Sequence, residues 1–119
     1  MTTQHSKMFF VRGDKWEIAG ALLNNAGAPL PLGADPVIEW ALYNAAGEVQ
    51  VEASIGDGIT VVDAEAGTIT IEVTPEKSAL VPVGQFQDQL RATINSVPQT
   101  MWLGEVEVMY SAFTDEPEE

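Results

Sequence analysis

Few residues of this 119-residue chain carry catalytic or metal-binding chemistry. Cysteine is absent, which excludes disulfides, thiolate metal sites and cysteine nucleophiles. The single histidine, His5, lies in a polar stretch at the N-terminus, where we expect neither a Ser-His-Asp triad nor a zinc site. No glycine-rich phosphate-binding motif is present. The sequence therefore predicts a protein that is not an enzyme.

Acidic side chains are the most numerous groups that could bind a ligand. Asp57, Asp63 and Glu65 fall in two adjacent predicted loops, and loop oxygens are the ligands that calcium prefers. Their spacing matches no calcium-loop pattern, so we expect no cofactor and keep calcium as the open alternative. Glu39 and Glu72 lie at outward positions of predicted strands, where solvated charges are the ordinary finding.

Two further motifs could support binding. The tripeptide at 12–14, Arg-Gly-Asp, is a type that integrins recognise, but it also suits a turn between two strands, which is the interpretation that we prefer. We expect Tyr43 and Trp102 to be exposed or at an interface, and Trp16 and Trp40 to lie in the core with the aliphatic residues that share their phase. Because sugar rings stack on exposed aromatic faces, binding of host-surface glycans is the alternative function.

Charge and composition narrow the range of partners. The chain has 18 Asp and Glu residues against 5 Lys and Arg, and its formal net charge is −13. Nucleic acids and anionic membranes are excluded as partners, because both are bound through clustered basic side chains. Hydrophobic residues make up 45% of the chain, enough for one domain with its own core. The N-terminus lacks the apolar run of a signal peptide, so we expect synthesis in the cytoplasm.

Turn residues recur at short intervals between β-rich stretches, and this spacing predicts an all-β sandwich or barrel. The predicted strands lie at residues 7–11, 15–24, 37–44, 48–53, 59–62, 68–74, 84–95 and 100–110. Thr74 and Pro75 are a helix-start signal, but Pro82 follows so soon that only a short helical turn near Pro75–Leu80 is expected.

The predicted strand at residues 84–95 has an acidic residue at a position where its pattern predicts an apolar one. Its inward positions include Phe86 and Leu90, and Asp88 shares their phase. A carboxylate at an inward position requires an edge, a bulge or a polar partner. In the last predicted strand, Gly104 is expected to mark a bulge.

The predicted elements divide the chain into three segments. We expect a flexible N-terminal arm at residues 1–8, one sandwich at 9–113 and an acidic, disordered tail at 114–119. An extended arm of this kind can pair with the sheet edge of a neighbouring molecule, because backbone hydrogen bonds then provide adhesion.

The turn motifs follow one another in an order that resembles a family of small tailed-phage proteins. They are Arg12-Gly13-Asp14, Asn25-Ala26-Gly27-Ala28-Pro29-Leu30 with Gly33-Ala34, Gly56-Asp57-Gly58-Ile59-Thr60, Asp63-Ala64-Glu65-Ala66-Gly67-Thr68, Val73-Thr74-Pro75-Glu76 and Leu80-Val81-Pro82-Val83-Gly84-Gln85-Phe86. The series covers most of the chain and is similar to the immunoglobulin-like N-terminal domain of phage baseplate upper proteins. The resemblance implies an immunoglobulin-like β-sandwich of about seven to eight antiparallel strands.

The resemblance also implies a function. It predicts a non-enzymatic structural or attachment protein located in the virion, as a capsid decoration or a head–tail or tail accessory. Its partners would be other virion proteins of the capsid, the head–tail junction or the tail and baseplate, with a homo-oligomer left open. The residues assigned to partner contacts are Met8, Phe9 and Phe10 at the end of the arm, and the aromatic residues Tyr43 and Trp102.

Overall fold

Nine β-strands and one short helix make up the part of the chain that the computed structural model describes, residues 3–24, 26–33, 36–94 and 96–111. They are β1 (Thr3–Gln4), β2 (Met8–Val11), β3 (Trp16–Ala21), β4 (Val37–Tyr43), β5 (Val49–Ile55), β6 (Gly58–Asp63), β7 (Thr68–Val73), α1 (Pro75–Ser78), β8 (Gly84–Ile94) and β9 (Val97–Met109). The all-β fold class and the short helix are confirmed. The predicted acidic tail at 114–119 lies outside the described residues.

The strands form one mixed sheet in the order β1-β9-β8-β4-β5-β6-β7-β3, with β2 also pairing with β9. The β5–β6 pairing is only two residue pairs long, and it separates a half made of β9-β8-β4-β5 from a half made of β6-β7-β3. This is the strand order of an immunoglobulin-like sandwich. Three pairings, β1–β9, β2–β9 and β5–β6, are parallel. The sheet is therefore mixed, whereas the resemblance implied antiparallel strands.

Alternating apolar residues from both halves of the sheet fill one core. In β4 the inward residues Ile38, Trp40 and Leu42 are all buried, and in β7 the inward residues Ile69 and Ile71 are buried as well. A sequence that alternates in this way buries one face of each strand and leaves the other in water, so the strand phases follow directly from the sequence.

The Arg-Gly-Asp tripeptide is a turn that the helix α1 holds in place. The Ser78 hydroxyl is buried, accepts a hydrogen bond from the Gly13 amide at 3.0 Å and donates one to the Asp14 carbonyl at 2.7 Å. The Arg12 guanidinium donates to the Val81 carbonyl at 3.0 Å. Because these groups bond within the domain, the motif has a structural role here.

The bulge in the last strand lies at Met101 and not at Gly104, so the predicted position of the bulge is wrong. Leu90 pairs with Trp102 and the next residue of β8 pairs with Thr100, which leaves Met101 as the extra residue. A bulge lets two successive side chains point to one face, and Met101 and Trp102 are accordingly 4% and 9% exposed. The expectation that Trp102 is exposed is therefore corrected.

The described part of the predicted N-terminal arm belongs to the sheet. Residues 3–4 and 8–11 both pair in parallel with β9, and the amide of Arg12 continues the contact by donating to the Met109 carbonyl at 3.0 Å. In this structure the described part of the arm lies along the sheet of its own chain, and its flexibility stays a prediction. It lies there because the edge of β9 opposite β8 offers backbone partners between Trp102 and Met109, all within the strand that the sequence predicts at 100–110.

Candidate functional site

Asp88, on β8, is the centre of the polar site. Its side chain is fully buried, at 0% exposure. Oδ2 accepts a hydrogen bond from Trp40 Nε1 at 2.8 Å, and Oδ1 lies 2.5 Å from His5 Nε2. Trp40 is also fully buried. The expectation that an inward Asp88 needs a polar partner is confirmed, and the structure supplies two of them.

The N-terminal strand carries His5 to this carboxylate. Thr3 pairs with Trp102 and Gln4 with Leu103, and the His5 amide then donates to the Leu103 carbonyl at 3.0 Å. These contacts bring the His5 side chain to the position on β9 that follows Leu103.

That position is Gly104, and the absence of a side chain there makes room for the imidazole. Gly104 pairs with Asp88 across β8 and β9, so it stands between Asp88 and the arm. A Cβ atom built on Gly104 would lie 2.6 Å from His5 Nε2, closer than atoms can approach. Gly104 is therefore required for the contact between His5 and Asp88.

Both ring nitrogens of His5 are engaged. Nδ1 lies 2.6 Å from the Ser6 carbonyl oxygen, which can only accept, so Nδ1 carries a proton. Nε2 makes the second hydrogen bond of the ring, with Oδ1 of Asp88. With both nitrogens used, the ring does not present a free lone pair to a substrate. The arrangement acts as a clasp that fastens the arm to the sandwich.

A second polar contact fastens the arm at the sheet surface. Lys7 Nζ lies 3.2 Å from Glu107 Oε1 and 5.6 Å from the centroid of the Phe9 ring. A hydrogen bond with Gln85, together with the hydrogen bond and positive charge of Lys7, holds the pKa of Glu107 below its usual range. The ionised Glu107 is thus the form that binds the arm.

An apolar cleft of about 250 Å³ lies between the arm and β3, the strand at the other end of the sheet order. Its lining residues are His5, Met8, Ile18, Ala19, Gly20, Ala21, Leu23, Met101 and Trp102. The Trp102 ring packs against the backbone of Gly20, where an added Cβ would lie 2.5 Å from Cη2. Within the described residues, the buried Trp102 Nε1 has no hydrogen-bond acceptor.

The structure distributes the predicted partner-binding residues between core and surface. Phe10 is half-buried and stacks on Trp16, with ring centroids 4.8 Å apart, and Met8 also packs against the core. Phe9 is exposed and Tyr43 half-buried; both lie on the outward face of the sheet, separated by β8 and β9. Whether these residues bind a partner stays a prediction.

Two of the acidic residues considered for calcium, Asp57 and Asp63, bind groups of the protein. Asp57 lies 3.3 Å from Lys77 Nζ, and Asp63 Oδ1 accepts from the amides of Glu65 and Ala66 at 3.1 and 3.3 Å. In the described ranges, no three His, Asp or Glu side chains are grouped as a metal would require. The helix found in those ranges is also too short to cross a membrane.

Sequence reasoning missed the contact between His5 and Asp88. Both residues stand out in the sequence, His5 as the only histidine and Asp88 as the carboxylate on an inward phase. The pairing joins positions that are 83 residues apart, and it depends on a two-residue strand that no local pattern indicates. An unpaired inward carboxylate together with a glycine on the neighbouring strand is the signal that could have pointed to it.

Solved structures share this fold. The N-terminal domain of ORF48 from phage TP901-1 matches with a TM-score of 0.60 at 16% identity, over 90% of this chain and 93% of that one. A Bacteroides vulgatus protein assigned as a glycoside hydrolase matches with a TM-score of 0.51 at 10% identity, over 88% of this chain but only 17% of that one. No protein-family model matches the chain, and no curated protein matches it. At these identities the likeness shows the fold alone.

Proposed function

We propose that this chain is a non-enzymatic structural or attachment protein of a tailed-phage virion, acting through protein–protein contacts. The observation that carries the proposal is the match to a phage domain over nearly the whole length of both chains. The ordered turn motifs between residues 12 and 86 support the same class of protein. A capsid decoration and a head–tail or tail accessory are the positions that fit a domain of this kind.

The surface that best suits a protein partner is the outward face of β9, β8 and β4, which we call the amide face. It carries Gln85, Gln87 and Gln89 on β8, and Tyr43 pairs with Gln87 across the neighbouring strand. Neutral amides and tyrosine are adaptable contact groups that cost little to desolvate compared with charges. Phe9 adds an exposed ring at the edge of this face.

Charge on the amide face is partly neutralised in spite of the strongly acidic sequence. Arg91 binds Glu39 at 2.8 Å, and Lys7 binds Glu107 at 3.2 Å. Two of the five basic residues of the chain are thus used on this face. Such pairing favours docking of a protein surface there, since fewer isolated charges must lose their water.

Co-elution with virion proteins tests the proposal. We would mix the purified chain with proteins from disrupted particles of the phage that encodes it and measure complex mass by light scattering, identifying the partner by mass spectrometry. The wild-type chain should elute with one virion protein, and Tyr43→Ala and Phe9→Ala should weaken that complex. Val62→Ala is the matched control, because Val62 is 63% exposed on β6 in the other half of the sheet.

Two results together would contradict the proposal. Particles that contain no peptide of this chain, together with no co-elution, would rule out a virion component. The glycan-binding alternative requires exposed aromatic faces. Phe9 and Tyr110 are exposed, at 57% and 80%, whereas Trp16, Trp40 and Trp102 are 2%, 0% and 9% exposed. The burial of all three tryptophans favours the protein-binding function.

A further inference from the structure

The surface of β8 and β9 that holds the N-terminal segment is shaped for that segment. We define the arm as residues 3–7, and the seat as the three residues that surround His5 and Gln4, namely Leu103, Gly104 and Asp88. Removing the arm would leave the Asp88 carboxylate with the Trp40 N–H as its side-chain partner within the described residues, and would leave a void over Gly104. The seat therefore requires a segment that presents both a hydrogen-bond donor and a flat ring at the position of His5.

The arm is joined to the rest of the domain by a hinge. From Thr3 to Met8 the chain advances five positions, while β9 advances four, from Trp102 to Val106. The extra residue interrupts the parallel ladder between β1 and β2. Strand β1 pairs over two residues only, whereas β2 pairs over four and is anchored by the Phe10 ring stacked on the core. Release of the arm would therefore break the contacts of β1 and His5 and leave those of β2 intact.

We propose that the arm is an exchangeable strand, and that the seat accepts the arm of a second copy of this chain, so that His5 of one molecule binds Asp88 of the other. The second copy carries the same segment, and its arm would form the same contacts in the seat. When two copies exchange arms, each broken contact is replaced by an identical one in the other molecule. The free-energy cost is then mainly the loss of translational and rotational entropy on association. This proposal does not depend on the virion role.

Charge favours this occupant. The arm contains His5 and Lys7 and no acidic residue, although the chain as a whole has a net charge of −13. The arm is thus the segment of the molecule best suited to approach an acidic copy of the same chain. Five extended residues reach about 17 Å, which is enough to cross to a neighbour that lies against the same sheet edge.

Cysteine cross-linking tests the exchange against a clean background, because the native chain has no cysteine. Gln4→Cys is introduced in one chain and Leu103→Cys in an isotope-labelled second chain, since Gln4 and Leu103 are partners in the β1–β9 register. After mixing and mild oxidation, mass spectrometry counts disulfides that join a labelled to an unlabelled chain. Exchange predicts more of these mixed dimers than the pair of Gln4→Cys with Val62→Cys, which lies on a distant, exposed strand position.

Two further variants make the test specific. Adding His5→Ala to the Gln4→Cys chain should reduce the mixed dimers to the level of the Val62→Cys control, while adding Ser6→Ala should leave them unchanged because only its carbonyl contacts His5. The seat-bearing chain is unaltered in both cases, so damage to the seat cannot account for the loss. A yield equal to the Val62→Cys control with an intact His5 would overturn the proposal, and the arm would then stay in its own molecule.

Discussion

At the scale of single residues, the buried carboxylate of Asp88 determines how the N-terminus is held. Asp88 faces the core at 0% exposure and is hydrogen-bonded to two side chains that are far from it in the sequence, Trp40 on β4 and His5 on the arm. A buried charge that keeps its partners is tolerated, and one that loses them is strongly destabilising. The two partners differ in their access to water, since the His5 side chain is 21% exposed.

Asp88→Ala should lower the free energy of unfolding by about 1–3 kcal/mol, because it leaves the buried Trp40 N–H without its acceptor. His5→Ala should cost less, since water can enter from the exposed side of the ring and solvate the carboxylate. Urea denaturation followed by tryptophan fluorescence measures both. Equal and negligible losses in the two variants would show that the clasp contributes nothing to folding.

Gly104→Ala should expel the arm, because the new methyl group would occupy the place of the His5 ring. Trypsin cleavage after Lys7, followed by mass spectrometry of the released peptide, should therefore be faster than in the wild type. The double variant Gly104→Ala/His5→Ala is the control, in which the clash is gone and the additional effect of the alanine at 104 should vanish. Unchanged cleavage in the single variant would contradict this account of the glycine.

The lowered pKa of Glu107 makes the surface contact of the arm dependent on pH. The hydrogen bond from Gln85 and the charge of Lys7 favour the ionised form in the folded state. The folded pKa is below the unfolded one, so this contribution to stability is present above the unfolded pKa and is lost as the pH falls through the folded pKa. Glu107→Gln should lower stability at neutral pH, with a difference from wild type that shrinks in acid; a difference that does not vary with pH would contradict the assignment.

At the scale of elements, the strands with alternating apolar residues could be predicted and the N-terminal strand could not. Strand β4 was expected at 37–44 and lies at Val37–Tyr43, because burial of one face imposes a period of two on the sequence. Strand β1 has only two residues and exists because of the edge of β9, so no local pattern marks it. The position of the bulge, and with it the burial of Trp102, likewise depends on how β8 and β9 align.

The same distinction applies to the short helix. Its first residue can be predicted from neighbouring residues in the sequence, but its position against the rest of the domain cannot. Thr74 and Pro75 predict where α1 begins, and Thr74 Oγ1 does accept from the Lys77 amide at 3.3 Å. The bonds from the Ser78 hydroxyl to the turn at Gly13 and Asp14 join elements that are more than 60 residues apart. No local sequence pattern predicts these two hydrogen bonds.

Ser78→Ala should destabilise the domain by about 1–3 kcal/mol, because it removes the acceptor of the Gly13 amide and the donor to the Asp14 carbonyl at a buried position. Ser54→Ala is the matched control, since Ser54 is exposed on β5 and its loss should be close to neutral. Thermal unfolding of the two variants compares them directly. A Ser78→Ala protein as stable as the control would mean that water replaces the hydroxyl.

At the scale of the whole molecule, the acidic excess acts on every contact described above. With 18 acidic and 5 basic residues, the folded chain repels itself and repels its own copies at low ionic strength. Four of the five basic residues, Lys7, Lys15, Lys77 and Arg91, form ion pairs, such as Lys15 with Glu17 and Glu72 at 3.6 and 3.9 Å. Surface ion pairs of this kind contribute little to the free energy of unfolding. The change in stability with salt should therefore be dominated by screening of the repulsion between the remaining acidic residues.

Raising NaCl from low to moderate concentration should therefore raise the melting temperature and should also increase the mixed disulfides between Gln4→Cys and Leu103→Cys chains, because the Debye length falls to about 10 Å near 0.1 M. A variant with Glu52→Gln and Glu65→Gln removes two exposed negative charges and should respond less in both measurements. A melting temperature that falls with salt would mean that the ion pairs at Lys7, Lys15 and Arg91 outweigh the net charge. A rise in stability without a rise in mixed disulfides would instead separate the two effects, and would show that hinge opening, not repulsion between copies, limits the exchange of the arm.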